Sequence, residues 1–264
     1  MTESQVITLA AGPWLPDLPA LNSPGVTVAK NLLPISSRGY APMPSFVPLS
    51  QPIPGRIVGL FSTKDRNGNP YNLVGTDGGI LRLDGASLNW QPMIPVEQFK
   101  GSSEGLWAMV TYGEQLICSN GNDPIYSLRM GVDSLFSPLS TDPDVPIAKY
   151  LAVVRDWLVA ANLRGSDDRA YPQRIQWSGI DDPTDWPPPG SDQAIAKQSD
   201  FQELVGSGGE IQGIVGNLGS ADAAIFQERA IFRMTFVGPP AIFSFHQVEG
   251  ARGTAAPGSI VSVG

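Results

Sequence analysis

A short phrase rich in β-branched and aromatic residues recurs along this chain: "IVGLFS" from Ile57, "WAMVTYGEQLIC" from Trp107, "YLAVVRDWLVAA" from Tyr150, "IQGIVGNLG" from Ile211 and "SIVSVG" from Ser259. Units of roughly 45 residues, each an opening strand followed by a meander, fit propeller blades better than the strands of a sandwich. A blade cannot bury both faces of its small sheet alone, so blades stack around an axis and each covers its neighbour. The expected fold is all-β: an incomplete or irregular β-propeller of four blades plus the start of a fifth, over residues 56–264. Two readings of the last phrase stand. It pairs with the first blade and closes the ring, or it opens a further blade; a strand pattern with no polar cap after Val263 favours the second.

The hairpins inside the blades can be read from their turn residues. "YNLVGTDGGILRLDG" predicts strands Tyr71–Asp77 and Ile80–Leu83 around a Gly78-Gly79 turn, since glycine accepts the positive φ of a tight hairpin. Strands Leu106–Tyr112, Gln115–Ser119 and Ile125–Met130 follow, broken at Gly113-Glu114 and Asn120-Gly121; Arg155-Asp156 and Glu228-Arg229 turn the later blades. With 29 glycines and 25 prolines, about a fifth of the chain is turn-forming, well above the usual ~12 %. The 42 % of apolar residues spread along the sequence still supports a packed core.

Residues 1–55 have a different texture. "PWLPDLPALNSPGVTVAKNLLPISSRGYAPMPSFVPLSQPIPG" carries ten prolines and no sustained periodicity, and each proline removes a donor and pushes its predecessor toward extended geometry. An extended proline-rich arm is expected. Its large apolar residues are too many for a solvated linker, so it packs across its own domain or reaches a neighbouring subunit. In the second case Trp14, Leu18, Leu21, Val26, Val28, Arg38 and Tyr40 are the candidate contacts.

The net charge of −8 argues against a continuous basic track for phosphates. Residues 101–200 hold 14 acidic and 7 basic side chains, nearly the whole imbalance. Such a region could face a basic partner or line a channel along which DNA slides without sticking. The single Cys118 allows no intrachain disulfide. "MTESQVITLAAG" has an acid where a signal peptide needs lysine or arginine, and Arg155-Asp156 interrupt the best apolar run; a soluble chain made in a cytosol, without membrane insertion, is expected.

"RIQWSGIDDPTDWPPPG", Arg174 to Gly190, is the stretch with most chemistry. One reading is a carbohydrate-cleaving site, with Trp177 and Trp186 as stacking platforms and Asp181, Asp182 or Asp185 as acids. Paired glycosidase carboxylates must face each other across ~5–9.5 Å, whereas Asp181 and Asp182 are adjacent and flanked by proline. A structural turn is the better reading: Asp182 accepts from amides beyond Pro183, and Trp186 folds back on the sheet. His246, the sole histidine, sits in an alternating strand and excludes a histidine metal cluster. "DRNGNPYN" from Asp65 has the oxygens of a calcium loop but not its closing glutamate, so a tight hairpin is expected. "GSGGE" from Gly206 lacks the lysine and hydroxyl of a P-loop. No catalytic residue, cofactor or metal is assigned, and an enzyme is not expected.

"WLPDLPALNSPGVTVAKNLLPISSRGYAPMPSF", followed by "LAVVRDWLVAANL", "RIQWSGIDDPTDW" and "VEGARGTAAPGSIVSVG", resembles the tail nozzle proteins of short-tailed bacteriophages, also described as tail tubular protein B or packaged-DNA stabilisation proteins. The resemblance implies a propeller-based virion subunit, six copies in a ring below the portal and adaptor, contacts to tail fibre or spike proteins, and a conduit through which double-stranded DNA passes without sequence-specific binding. It also implies synthesis in the cytoplasm of a host bacterium; given such a conduit, the charge of the acidic middle third makes it the expected lumen lining, along which DNA slides by repulsion. Members of that family are longer, with further blades after the "PGSIVSVG"-like phrase, and this chain departs from them there. The alternatives are a carbohydrate-binding or carbohydrate-cleaving propeller and a monomeric protein-interaction scaffold.

Overall fold

The computed structural model describes residues 12–19, 21–36, 39–94, 101, 105–219 and 221–261. The chain divides into two compact units, Met1–Leu49 and Ser50–Gly264, a boundary six residues ahead of the one expected from composition.

The first unit is less uniformly extended than its prolines suggest. Trp14 and Val26 form a parallel bridge, with Leu15 N donating to Val26 O at 2.9 Å and Val26 N to Pro13 O at 2.9 Å. Proline lacks a donor but keeps its carbonyl, and Pro13 uses it to close this loop. A two-stranded antiparallel sheet follows, β1 (Leu32–Ser36) on β2 (Gly39–Pro42), with Pro34 opposite Tyr40. Met43 N donates to Asn31 O at 2.8 Å and fixes the base of the hairpin.

The second unit contains four four-stranded antiparallel sheets, each a meander in chain order. Sheet 1 is β3 (Ile57–Lys64), β4 (Pro70–Thr76), β5 (Gly79–Leu83) and β6 (Trp90–Pro92). Sheet 2 is β7 (Ala108–Tyr112), β8 (Gln115–Ser119), β9 (Tyr126–Arg129) and β10 (Ser137–Pro138). Sheet 3 is β11 (Ile147–Val154), β12 (Trp157–Arg164), β13 (Ala170–Trp177) and β14 (Asp200–Glu203). Sheet 4 is β15 (Ile211–Leu218), β16 (Ala221–Gln227), β17 (Ile231–Gly238) and β18 (Ile242–Glu249). The sheets stack in succession through their first strands, β3 beside β7, β7 beside β11 and β11 beside β15. This is the expected all-β, propeller-like arrangement.

The turns sit close to their expected positions. Gly113-Glu114 and Arg155-Asp156 are two-residue hairpins, closed by the pairs Tyr112 and Gln115, Val154 and Trp157. The first hairpin is one residue earlier than expected: Thr76 pairs with Gly79, so Asp77-Gly78 make the turn. The Thr76 hydroxyl causes the shift, accepting from Gly78 N at 3.1 Å and donating to Gly79 O at 3.0 Å.

Among the described residues three apolar clusters hold the stack, one between each pair of successive sheets. Tyr71, Leu73 and Ile80 meet Trp107, Leu116 and Tyr126 between sheets 1 and 2. Ile117 and Ile125 meet Leu151, Leu158 and Trp186 between sheets 2 and 3. Trp157 and Trp177 meet Ile225, Met234 and Phe243 between sheets 3 and 4, both indoles lying edge-on to Phe243 with centroids 5.2 Å apart. Such edge-to-face pairs add to the stabilisation from area burial. Close backbone approach completes the packing: Gly216 of β15 lies against the Val153 carbonyl of β11, where a Cβ would collide. Strand glycines, which weaken an isolated strand, here let neighbouring sheets touch near the axis.

The phrase expected to begin a fifth sheet enters as a 3-10 turn over Pro257–Ser259. Ile260 and Val261 carry no ladder, and residues 262–264 lie outside the described residues.

Candidate functional site

The acids of the "DDPTDW" stretch are held by local bonds. Ser178 N donates to Leu158 O at 2.9 Å as β13 ends, and Gly179 bridges Asp182. Asp182 Oδ1 accepts from Thr184 N at 2.9 Å and from Thr184 Oγ1 at 2.7 Å, an Asx turn. Asp185 pairs with Lys197 at 3.2 Å, across the turn on α1 (Asp192–Lys197). Asp181 takes a positive φ of 58°, its N–H donating to Asp156 O at 2.9 Å. Ser191 caps the helix through Ala194 N at 3.1 Å.

The two tryptophans face inward. Trp186 is 0 % and Trp177 2 % exposed, so neither ring offers a face on which a sugar could stack. Their polar ends are satisfied: Trp186 Nε1 donates to Pro183 O at 2.8 Å, and Trp177 Nε1 donates to Gln198 O at 3.0 Å. Trp157 Nε1 donates to the same Gln198 carbonyl at 3.2 Å. The stretch thus places Trp177 in the cluster between sheets 3 and 4 and Trp186 in the cluster between sheets 2 and 3.

Where β7 ends, Tyr112 Oη donates to Asp156 O at 2.7 Å, joining the first hairpins of sheets 2 and 3. Burial, and after it the charges of Asp181, Asp156 and Asp182, push this phenol up to about 12. Arg66 to Glu114 at 3.1 Å joins the hairpins of sheets 1 and 2, and Arg155 to Asp222 at 2.5 Å joins sheets 3 and 4. Successive hairpins at this end of the stack are therefore tied one to the next, a series that sequence spacing did not reveal because the partners lie 44 to 67 residues apart.

Two clefts open at the other end. One of about 300 Å³ is lined by Asp144, Leu163, Asp167, Tyr171, Arg174 and Pro188. Its cation is engaged: Arg174 Nε lies 2.6 Å from Glu203 Oε1, with the guanidinium 3.8 Å over Tyr171 and 4.4 Å over Phe201. The second, of about 310 Å³, lies beside the inner edge of β11 between Leu106, Asn120, Lys149, Tyr150 and Pro257.

The remaining candidates are structural in their surroundings. Asp65 accepts from Asn69 Nδ2 at 2.7 Å, Asn69 N at 2.8 Å and Asn67 N at 2.9 Å. The Asn69 side-chain amide leads in holding this carboxyl below its usual range, against the opposing effect of burial. His246 stands exposed on β18 opposite Arg233. Cys118 is buried in the cluster between sheets 1 and 2, and burial pushes its thiol well up.

The acids of residues 101–200 do not gather on one face. Asp142, Asp144, Asp167 and Asp168 lie on connections at one end of the meanders, while Asp156, Asp181 and Asp182 lie on turns at the other.

In the first unit, Trp14, Leu18, Leu21 and Val28 are exposed, Leu21 by 84 %. Val26 and Tyr40 are half-buried. Arg38 lies outside the described residues. Two residues outside the expected contacts are as exposed as Leu21: Phe46 at 85 % and Val47 at 80 %. Both follow β2 in a stretch without strand or helix, where periodicity gives no signal.

No family model matches this chain, and no curated protein does. Among solved structures, it is similar to the computationally designed Ika4 protein, at 14 % identity and a TM-score of 0.37, over 75 % of this chain and 95 % of that one. It is also similar to BBS1N in complex with ARL6DN, at 12 % identity and a TM-score of 0.38, over 79 % of this chain and 57 % of that one.

Proposed function

We propose that this chain is a structural, ring-forming subunit of a short-tailed phage tail, extending the DNA conduit below the portal and adaptor and retaining packaged DNA until ejection. The observation that carries the assembly role is the number of uncovered large apolar side chains in the first unit, among them Trp14, Leu21, Val28, Ile35 and Phe46. Covering exposed apolar side chains stabilises by about 25 cal/mol per Å², and exposed apolar surface, where it gathers, marks interaction sites. Prolines have already restricted this segment, so ordering it against a neighbouring copy costs little. The phage assignment itself rests on the sequence resemblance.

A passive role also suits the second unit, whose acids and aromatics are taken up by turns, ion pairs and inter-sheet packing. Sedimentation of the pure protein, and of its mixture with portal and adaptor, tests the proposal. Ring-sized species that vanish in a Trp14→Ser, Leu21→Ser, Phe46→Ser variant with native circular dichroism are the expected result. A monomer under every condition overturns it.

A further inference from the structure

After β18 the chain turns back across the sheets it has just completed. Gly253 lies so close to the backbone of Gln227, Glu228 and Arg229 that a Cβ would collide with all three. Thr254 N donates to Gln227 O at 3.0 Å, anchoring the segment on the β16–β17 hairpin of sheet 4. The Thr254 hydroxyl accepts from Ala256 N at 3.0 Å and shapes the turn that follows. Pro257 then walls the cleft beside Lys149 and Tyr150 of β11, and Gly258 faces Leu106 at the start of sheet 2. Finally Ile260 occupies the space over Gly213 of β15, leaving no room for a side chain there.

One short segment thus touches sheet 4 at two points and Leu106 ahead of sheet 2, and faces Lys149 and Tyr150 of sheet 3 across a shared cleft. Sheets 2 and 4 are not neighbours in the stack, and four sheets share only three apolar clusters among the described residues. We propose that residues 250–261 are a strap across the axis, which holds sheets 2, 3 and 4 against one another and whose release opens the cleft beside β11. The glycines at both anchors are the device's signature: Gly253 lets the strap sink onto a hairpin backbone, and Gly213 gives Ile260 its seat. This role is independent of assembly, because it concerns contacts within one copy.

Hydrogen exchange on the full chain tests it, comparing the unaltered protein with Gly253→Val and with Ile260→Ser. The first variant cannot seat the strap on the hairpin; the second removes only the far anchor, and serves if the first does not fold. The expected result is exchange about tenfold faster at Thr254 in the first variant, with a matching acceleration at Gly121, whose N–H donates to Ala148 O between sheets 2 and 3 at 2.9 Å. Strands β7, β11 and β15 should follow, while β6, β10 and β14 keep their protection. Ile260→Ser should give the same pattern in weaker form. A loosened strap with unchanged inner strands overturns the proposal, as does equal loss of protection in inner and outer strands, which would mark general destabilisation.

Discussion

Trp107 offers the sharpest test of how the sheets are joined. It precedes β7, is 7 % exposed, and lies between sheets 1 and 2 where Gly59 and Gly75 leave space for it. A Cβ at Gly59 would come within 2.9 Å of the Trp107 Cβ, and one at Gly75 would overlap the indole ring. The indole N–H donates to Thr76 O at 3.0 Å. Trp107→Ala should cost about 3–5 kcal/mol from lost transfer energy and the cavity left behind, and about 1 kcal/mol more from the lost hydrogen bond. Against a total stability of about 5–15 kcal/mol this is a large share. Gly75→Val alone should cost about 1–3 kcal/mol by overpacking. Combined, the valine fills part of the vacated volume, and the double variant should be more stable than the sum of the two losses by about 1 kcal/mol or more. Urea unfolding followed by far-ultraviolet circular dichroism measures all four corners of the cycle. Additivity within about 0.3 kcal/mol refutes the claim that glycines make room for this tryptophan, as does a Trp107→Ala cost below about 1 kcal/mol.

Tyrosine ionisation provides a second measurement. Tyr112, Tyr126 and Tyr150 are each pushed up to about 12, chiefly by burial and then by nearby acids. A phenol whose folded value exceeds its unfolded value of about 10 contributes stability that is intact below pH 10 and lost between about pH 10 and 12. Ultraviolet titration of the folded protein should therefore find Tyr112, Tyr126 and Tyr150 still un-ionised at pH 10 and ionising only near pH 12; ionisation of all three near pH 10 contradicts it. Cys118 should resist thiol reagents in the native state and react on unfolding, and prompt labelling of folded protein contradicts its burial. Asp182→Ala removes the acceptor for both Thr184 donors and should cost about 1 kcal/mol with a changed near-ultraviolet signal from Trp186; unaltered stability and spectrum contradict the turn's structural role.

The parts legible in the sequence were those with local causes. Gly113-Glu114 and Arg155-Asp156 sit between β-branched runs, so the hairpins they close could be placed before any neighbour was known. The Asx turn at Asp182 is equally local, its donors two residues away. What escaped were pairings across sheets. Nothing near Gly75 points to Trp107, and Gly216 reads as a weak strand position until Val153 is brought against it. The loop closed by Trp14 and Val26 escaped because it depends on the Pro13 carbonyl, whereas proline was read through its missing donor. Phe46 and Val47 lie in a segment with no period to read.

Glycine and proline, abundant for what looked like a single reason, act in opposite ways in the two units. In the stack, glycines at Gly59, Gly75, Gly213 and Gly216 sit within strands and create vacancies filled by Trp107, by Ile260 or by a neighbouring backbone. Their contribution is to packing density between sheets, which interiors maintain at the level of organic crystals. In the first unit, prolines limit the unfolded ensemble while leaving Leu21, Phe46 and Val47 uncovered, so the segment pays little to order once a surface is offered. The same composition that predicts many turns therefore produces a tightly seated stack in one unit and, in the other, a proline-rich segment whose apolar side chains stand exposed.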